Sequence, residues 1–513
     1  MGASALDSTD SDSEKTTVTR SQNGDGVWET PQGCRTSYPP PNDPFLVAWD
    51  CGDKDPMNPR SMSKARKWVA VIVVSLASFC VTAASSIYTS TYEKMEASFG
   101  NSRTASVLGL SVFVLGIACG PLCFGPLSEL YGRRPIYLVA WSMYLIWTVP
   151  QAVARNVATI IVGRFFCGFS GSTFLAVSGG TVGDLFSKDD LQYPMAIFTV
   201  APAIGPCIGP LMGGYINYHF DWRWTYYVLL MWASALLVAI VLLVPETFHP
   251  IVLSQKARHL RNTTGESRWK APIETTDKSV LQSIVLSLSR PFQLLFFEPM
   301  CLALCIFTAI LLGILYLFFG AFPLMFRTLY GFNLWQVGMT FLGIGVGLII
   351  GVLTDTIWIR IRLHLMSKCH MEEGKEDGSE PEFRLPPAMA GAIIVPVGLF
   401  IFAWTAFPSI HWVVPIVGSA VFGIGNLLVF NGIFTFLVDA YPDYAASALA
   451  ANAFVRGVFA AAFPLFGNQM YESLGFQWAS SLLAFLTLAM MPFPYLFFKY
   501  GKRIRAGSRF AHL

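Results

Sequence analysis

The residue with the most chemistry to explain is an arginine inside an apolar run, Arg164 of Arg164-Phe-Phe-Cys-Gly168-Phe-Ser-Gly171-Ser172. A charge held in hydrocarbon costs at least about 2.5 kcal/mol, so it needs a partner or a task. Snorkelling to an interface about seven residues away is one reading, and a function inside the apolar layer is the other. A second pattern is Gly205-Pro-Cys-Ile-Gly209-Pro210-Leu-Met-Gly213-Gly214. Glycines four apart make a flat strip for close helix packing, and Pro210 removes a backbone hydrogen bond and kinks the helix. A generic packing face needs only Gly205 and Gly209, so Gly213 and Gly214 ask for more. A third is Gly125-Pro-Leu-Ser-Glu129-Leu-Tyr-Gly132-Arg133-Arg134. Here Gly125 would let a helix approach a neighbour, while Glu129 and Arg133 can join Asp184 in a charge network that latches one conformation. Anchoring at a membrane surface explains Arg133 and Arg134, but not Gly125, Glu129 or Gly132.

These residues need long apolar elements to hold them. Of 513 residues, 54% are hydrophobic and 13% charged, with a mean hydropathy of +0.51. A water-soluble domain carries about a quarter charged residues, so the chain cannot cover itself in polar surface. Runs long enough to cross a ~30 Å hydrocarbon core fall at 68–88, 104–126, 135–152, 157–181, 193–217, 224–244, 299–320, 335–354, 387–406, 412–437, 445–467 and 475–497. The fold class expected is therefore an all-α integral membrane protein with twelve transmembrane helices. Seven of the ten cysteines fall in apolar runs and read as small hydrophobes, while Cys34, Cys51 and Cys369 fall in polar segments. No spacing of His and Cys suggests a metal.

Lysine and arginine orient the spans. Lys64, Arg66, Lys67, Arg133, Arg134, Arg258, Arg261, Arg360, Lys375, Arg384 and Lys502 all fall on one face if there are twelve spans, which puts both termini in the cytosol. The sequon at Asn262 falls on that face too and should carry no glycan. The acidic, Ser-rich Asp7–Glu14 and the prolines 39–41 suggest a disordered cytosolic tail over 1–66, open to phosphorylation. A first six-helix half then spans 67–244, a cytosolic central loop 245–298, a second half 299–498 and a short C-terminal tail 499–513. The halves share a trace of repeat. Gly125-Pro-Leu127-Ser-Glu129 follows span two and Gly351-Val-Leu353-Thr-Asp355 follows span eight. Parallel repeats of this kind build transporters whose substrate site lies between the halves.

With these motifs in view, the chain resembles the major facilitator superfamily, and within it the fungal twelve-span drug:proton antiporters. Besides the loop of residues 125–135, the similarity rests on Asp55-Pro-Met-Asn58-Pro59, Pro245-Glu246-Thr247, Leu437-Val-Asp439-Ala-Tyr441 and Leu474-Gly475-x-x-Trp478, and it covers about 45–510. The resemblance implies a major facilitator fold with two six-helix halves and proton-coupled efflux of small amphipathic molecules, either toxicants or a metabolite the cell makes itself. It implies proton coupling for Arg164 with Asp184, and control of leak and of the bend between states for the glycines of span five. It also implies no cofactor beyond the proton gradient. The expected partners are the substrate, protons and the lipid bilayer, with no nucleic acid, for a monomer in the plasma membrane or a vacuolar or vesicle membrane.

A cavity for such substrates is mostly apolar and aromatic with a few polar groups. The candidates are Tyr88 on span one, Tyr316 and Phe319 on span seven, Asn426, Asn431 and Phe434 on span ten, and Arg456 on span eleven. Arg456 either attracts an anionic or proton-bearing group or pairs with a carbonyl. A nutrient importer on the same fold is the rival expectation, and the span-five motif argues against it. No GxxxxGK[ST] occurs, which excludes an ATP-driven pump of that type. No nucleophile–base or metal-ligand spacing suggests an enzyme.

Overall fold

The computed structural model describes residues 45–508 except 51, 188–189, 276–279 and 374–379, together with residue 510 and three two-residue strands, Ser21–Gln22, Trp28–Glu29 and Arg35–Thr36, paired antiparallel. The Asp7–Glu14 run, the prolines 39–41, Cys34, Cys51 and Lys375 lie outside the described residues.

Among the described residues, ten helices are long and apolar enough to cross a membrane. Two further observations bring the count to twelve. The last of the ten, Ala445–Arg505, contains Gly475 at φ 76°, a left-handed residue that breaks it into spans eleven and twelve. Arg133–Ala152 is the remaining span, of 20 residues. Its hydropathy is lowered by two arginines and by aromatics with polar handles, yet Tyr137, Trp141 and Tyr144 are fully buried and the Trp141 indole donates to Ala233 O at 2.8 Å.

Capping residues and left-handed glycines set the span ends. Span one, Lys64–Ile87, is capped by the Ser63 hydroxyl and leads into the short helix Tyr92–Phe99, which ends at left-handed Gly100. Span two, Arg103–Tyr131, starts at Ser102 and stops at Gly132. Span four, Val157–Leu185, is capped by Asn156, and span five is Gln192–His219. Span seven, Pro299–Tyr330, stops at left-handed Gly331, and span eight, within Leu334–Lys368, opens with an Asn333/Gln336 capping box. Spans nine and ten are Pro386–Trp404 and Val413–Ala440. The face that carries Lys64, Arg133 and Arg384 is called the basic face below.

The chain divides into two compact units, and the smaller combines residues 1–62 with 249–277. Here the structure differs from the expected tail, because the described residues within 45–62 are folded. Lys256, buried on the helix His249–Thr264, donates to Asp50 Oδ2 at 2.7 Å, Asp55 Oδ2 at 2.6 Å and Ala48 O at 3.1 Å. Composition missed this because the ordering partner lies about two hundred residues away in sequence. Burial works against the charge of Asp55, but Lys256 and the amides of Met57 and Asp50 outweigh it and hold the carboxyl below its ordinary range. Removing one member of a buried pair strands the other, at about 3–5 kcal/mol. Lys256→Met should therefore raise hydrogen exchange across 249–275 by a hundredfold or more, as a ~3 kcal/mol loss implies. Unchanged exchange would mean the bridge adds nothing. Nearby, Arg261 grips Glu274 with two hydrogen bonds, of 3.0 and 3.1 Å. Chiefly through that grip, Glu274 is pulled from 4.5 to about 2. A lowered carboxylate stabilises the folded form above its unfolded value, so this contribution is complete above pH 4.5 and is lost as the pH falls toward 2.

Candidate functional site

Arg164 does not snorkel. Its side chain is 2% exposed and each nitrogen of the guanidinium has its own carbonyl: Nε on Gly109 O at 3.2 Å, Nη1 on Ala84 O at 2.7 Å and Nη2 on Ser85 O at 3.0 Å. The rings of Tyr88 and Phe113 sandwich it, with centroids 4.3 and 4.1 Å from Cζ. Spans one, two and four are thus tied at one point by a group that no neutral side chain could replace. No acidic side chain pairs with it among the described residues. Asp184, coupled with it in the sequence reading, lies twenty residues further along the same span, ~30 Å away by helix rise, so the structure does not bring the two together.

The stretch of span one that Arg164 holds is also where span five packs. A Cβ at Gly205 would collide with Thr82 Oγ1, one at Gly209 with Ser86 Oγ and Ala83 O, and one at Gly213 would lie 2.6 Å from Ile87 O. Gly214 is different. Its Cβ would lie 2.7 Å from Leu334 O, on span eight of the other half. Span eight returns the contact, since a Cβ at Gly338 would strike Pro210 O. The adjacent glycines therefore serve two seams about 100° apart on the helix, one within the first half and one between the halves. Gly213 thus packs within the first half, and Gly214 is the glycine placed against the other half.

Two further contacts between the halves fall at midplane and at the face opposite the basic one. The Ser85 hydroxyl meets the Tyr316 hydroxyl at 3.0 Å. Glu93, after span one, forms an ion pair with Arg327 at the end of span seven. At the basic face, by contrast, a Cβ on Gly125 would find nothing within 4 Å. The close approach expected at Gly125 is absent in this conformation, in which the halves close at the opposite face.

Of the residues expected in a charge network, Arg133 and Asp184 are brought together. Arg133 Nε lies 3.3 Å from Asp184 Oδ2, Nη1 donates to Ser128 Oγ at 2.7 Å, and the guanidinium covers the Phe248 ring. Glu129 is exposed and forms no ion pair among the described residues. The acid that does the work is Glu246, which sequence reasoning quoted only within a family signature. Its carboxylate accepts from the amides of Arg133 (2.9 Å), Arg134 (3.1 Å), Thr247 (3.0 Å) and Phe248 (2.9 Å), capping the positive end of span three. Gly132 has φ 97° and a Cβ there would lie 2.5 Å from Glu246 Oε2, so both its conformation and its size are required. Arg134 Nη2 reaches Val241 O at 2.9 Å. The second half repeats the arrangement, with Arg384 2.7 Å from Asp439 at the foot of span ten.

The cavity candidates separate. Tyr88 is fully buried inside the first half, its hydroxyl on Ser106 O at 2.9 Å. Phe319 is buried against Phe341 within the second half, and Asn426 is buried there too. Asn431 donates to Asp355 at 2.7 Å near the basic face. Phe319 also meets Tyr316 edge-on, with ring centroids 5.3 Å apart. Tyr316 sits between the halves, while Phe434 and Arg456 are partly exposed, with Arg456 Cζ 4.9 Å from the Phe434 ring centroid.

Residues 74–464 match the model of the Major Facilitator Superfamily. The chain is 52% identical over 467 residues to the efflux pump atB of Aspergillus terreus, covering 91% of this chain and 90% of that protein. It is 41% identical over 455 residues to the probable drug/proton antiporter YHK8 of Saccharomyces cerevisiae, covering 88% and 87%. In fold it is similar to the xylose transporter XylE from E. coli in a partially occluded inward open conformation, with a TM-score of 0.57 at 14% identity over 85% of this chain and 99% of that one.

Proposed function

The chain belongs to the Major Facilitator Superfamily, and from that premise we propose that it exports small amphipathic molecules in exchange for protons, with both termini in the cytosol. The observation that carries the reading is the double seam of span five. Gly205, Gly209 and Gly213 bind it to span one, while Gly214 and Gly338 close it against span eight of the other half. A span packed tightly inside one half and reversibly against the other is what alternating access needs. Relatives named as an efflux pump and a drug/proton antiporter support the outward direction and the proton.

Three elements receive roles. Arg164 fixes the part of span one against which both span five and Tyr316 rest, so a change of charge near it would reach both seams. Arg133, Asp184 and Glu246 lock the basic end of the first half, and Gly125 is left open for the state in which the halves close at that face. The proton gradient alone drives the cycle, and the protein works as a monomer in the plasma membrane.

Accumulation of a labelled amphipathic toxicant in pump-deficient yeast tests the function. Cells expressing the protein should hold several-fold less label, and a protonophore should remove the difference. Higher accumulation, or indifference to the protonophore, overturns the reading. Epitope tags at residue 20, within 262–275 and at the C-terminus should all be protected in intact cells, and Asn262 should carry no glycan. A central tag reached from outside would reverse the orientation.

A further inference from the structure

Among the described residues, two arginines lie inside the apolar layer, and they are not alike. Arg164 has three carbonyl acceptors and two rings. Arg456, on span eleven, has no hydrogen bond and no ion pair among the described residues, and its Nε is buried without an acceptor. Beneath it lie Phe430 and Phe434, one helical turn apart and parallel to within 4°, with centroids 5.3 and 4.9 Å from Cζ. Rings stabilise the face of a guanidinium but accept nothing from its five N–H groups. Asp355, which meets span ten at Asn431 between the two rings, is hydrogen-bonded there at 2.7 Å and forms no ion pair with Arg456 among the described residues. One turn earlier on span eleven, Asn452 gives its amide to Thr308 at 2.7 Å, and its Oδ1 likewise finds no partner.

The position is also right for a substrate. Gly457, the next residue, packs against Ala118 of span two in the other half. Tyr316 of span seven touches the first half through Ser85. Arg456 thus stands at the junction of the halves, partly exposed, with its donors unspent.

Resting on the export reading, we propose that Arg456 anchors the carboxylate of the exported molecule, so that the substrate class is amphipathic organic anions. The guanidinium offers a two-pronged fork that a carboxylate fits. Phe430 and Phe434 hold the fork in place. The anion supplies the acceptors that the chain withholds, and an unliganded site pays for its absence with a poorly solvated charge.

The test compares 1-naphthoate with its uncharged isostere 1-naphthamide, binding to the purified full chain in nanodiscs. The wild type should bind naphthoate at least about tenfold more tightly, the scale of a charge-assisted pair. Arg456→Gln should weaken naphthoate about ten- to a hundredfold and leave naphthamide within about twofold, which also certifies that the variant is folded. Arg456→Lys keeps the charge but not the fork and should fall between them. A wild type without preference for naphthoate overturns the proposal with no need of a variant, as does a preference that survives Arg456→Gln. Release of each probe from preloaded cells separates this from the export reading. Charge-selective binding without outward movement keeps the anion site and removes export, whereas outward movement without charge selectivity does the reverse.

Discussion

Arg164→Ala should reduce efflux to background, below about 1% of wild type, in protein that still reaches the membrane. The variant leaves Gly109 O, Ala84 O and Ser85 O without the guanidinium and opens a gap between the Tyr88 and Phe113 rings. Hydrogen bonds to a charged group contribute about 1.5–3 kcal/mol each, so losing even two is worth a hundredfold or more. The effect is expected in transport before it is seen in insertion, because helices insert on hydropathy and the variant is more apolar than the parent. The lysine variant is the sharper measurement. Read from sequence, Arg164→Lys should keep part of the activity if charge alone matters. The geometry predicts otherwise: three nitrogens each serve a different carbonyl across spans one and two, and one ammonium cannot span that fork. Protonophore-sensitive efflux near wild-type level in either variant would remove Arg164 from the mechanism.

How much of this was legible beforehand depends on whether a feature is local. Span positions follow from hydropathy, whereas their ends are set by Ser63, Ser102, Asn156 and Gly331, caps that the apolar runs do not mark. Arg164 stood out because arginine in an apolar run is costly wherever it points. What it would touch was not legible, since Ala84, Ser85 and Gly109 lie 55 to 80 residues away and contribute only backbone oxygens. Glu246 was hidden for a related reason. Its task is set by the amides at the start of span three, over a hundred residues earlier. The cavity was the least legible part, because apolar and aromatic residues face lipid, neighbours or cavity without any change of type. Asn431 against Asp355 and Tyr88 against Ser106 are interior contacts that no periodicity distinguishes from a binding wall.

The two adjacent glycines of span five offer a separation that sequence alone did not. Gly213→Val should destabilise the first half, since its branched side chain meets Ile87 O at 2.6 Å and Ser90 Oγ at 2.9 Å on span one. Backbone cannot step aside there, and overpacking of this kind costs about 1–3 kcal/mol. A lower melting temperature and less protein at the membrane are the expected signs. Gly214→Val should leave the melting temperature close to wild type and abolish transport. Its side chain meets Leu334 O on span eight, across the seam between the halves. A protein kept from closing that seam retains its fold but cannot complete a cycle. Cysteines replacing Glu93 and Arg327, whose side chains are ion-paired across the same closure, report it directly. The pair should cross-link readily in the parent and about tenfold more slowly with Gly214→Val, as a shift of ~1.4 kcal/mol in the closed population would give. Should Gly214→Val transport normally, or Gly213→Val slow the cross-link without lowering the melting temperature, the assignment of the two seams is wrong.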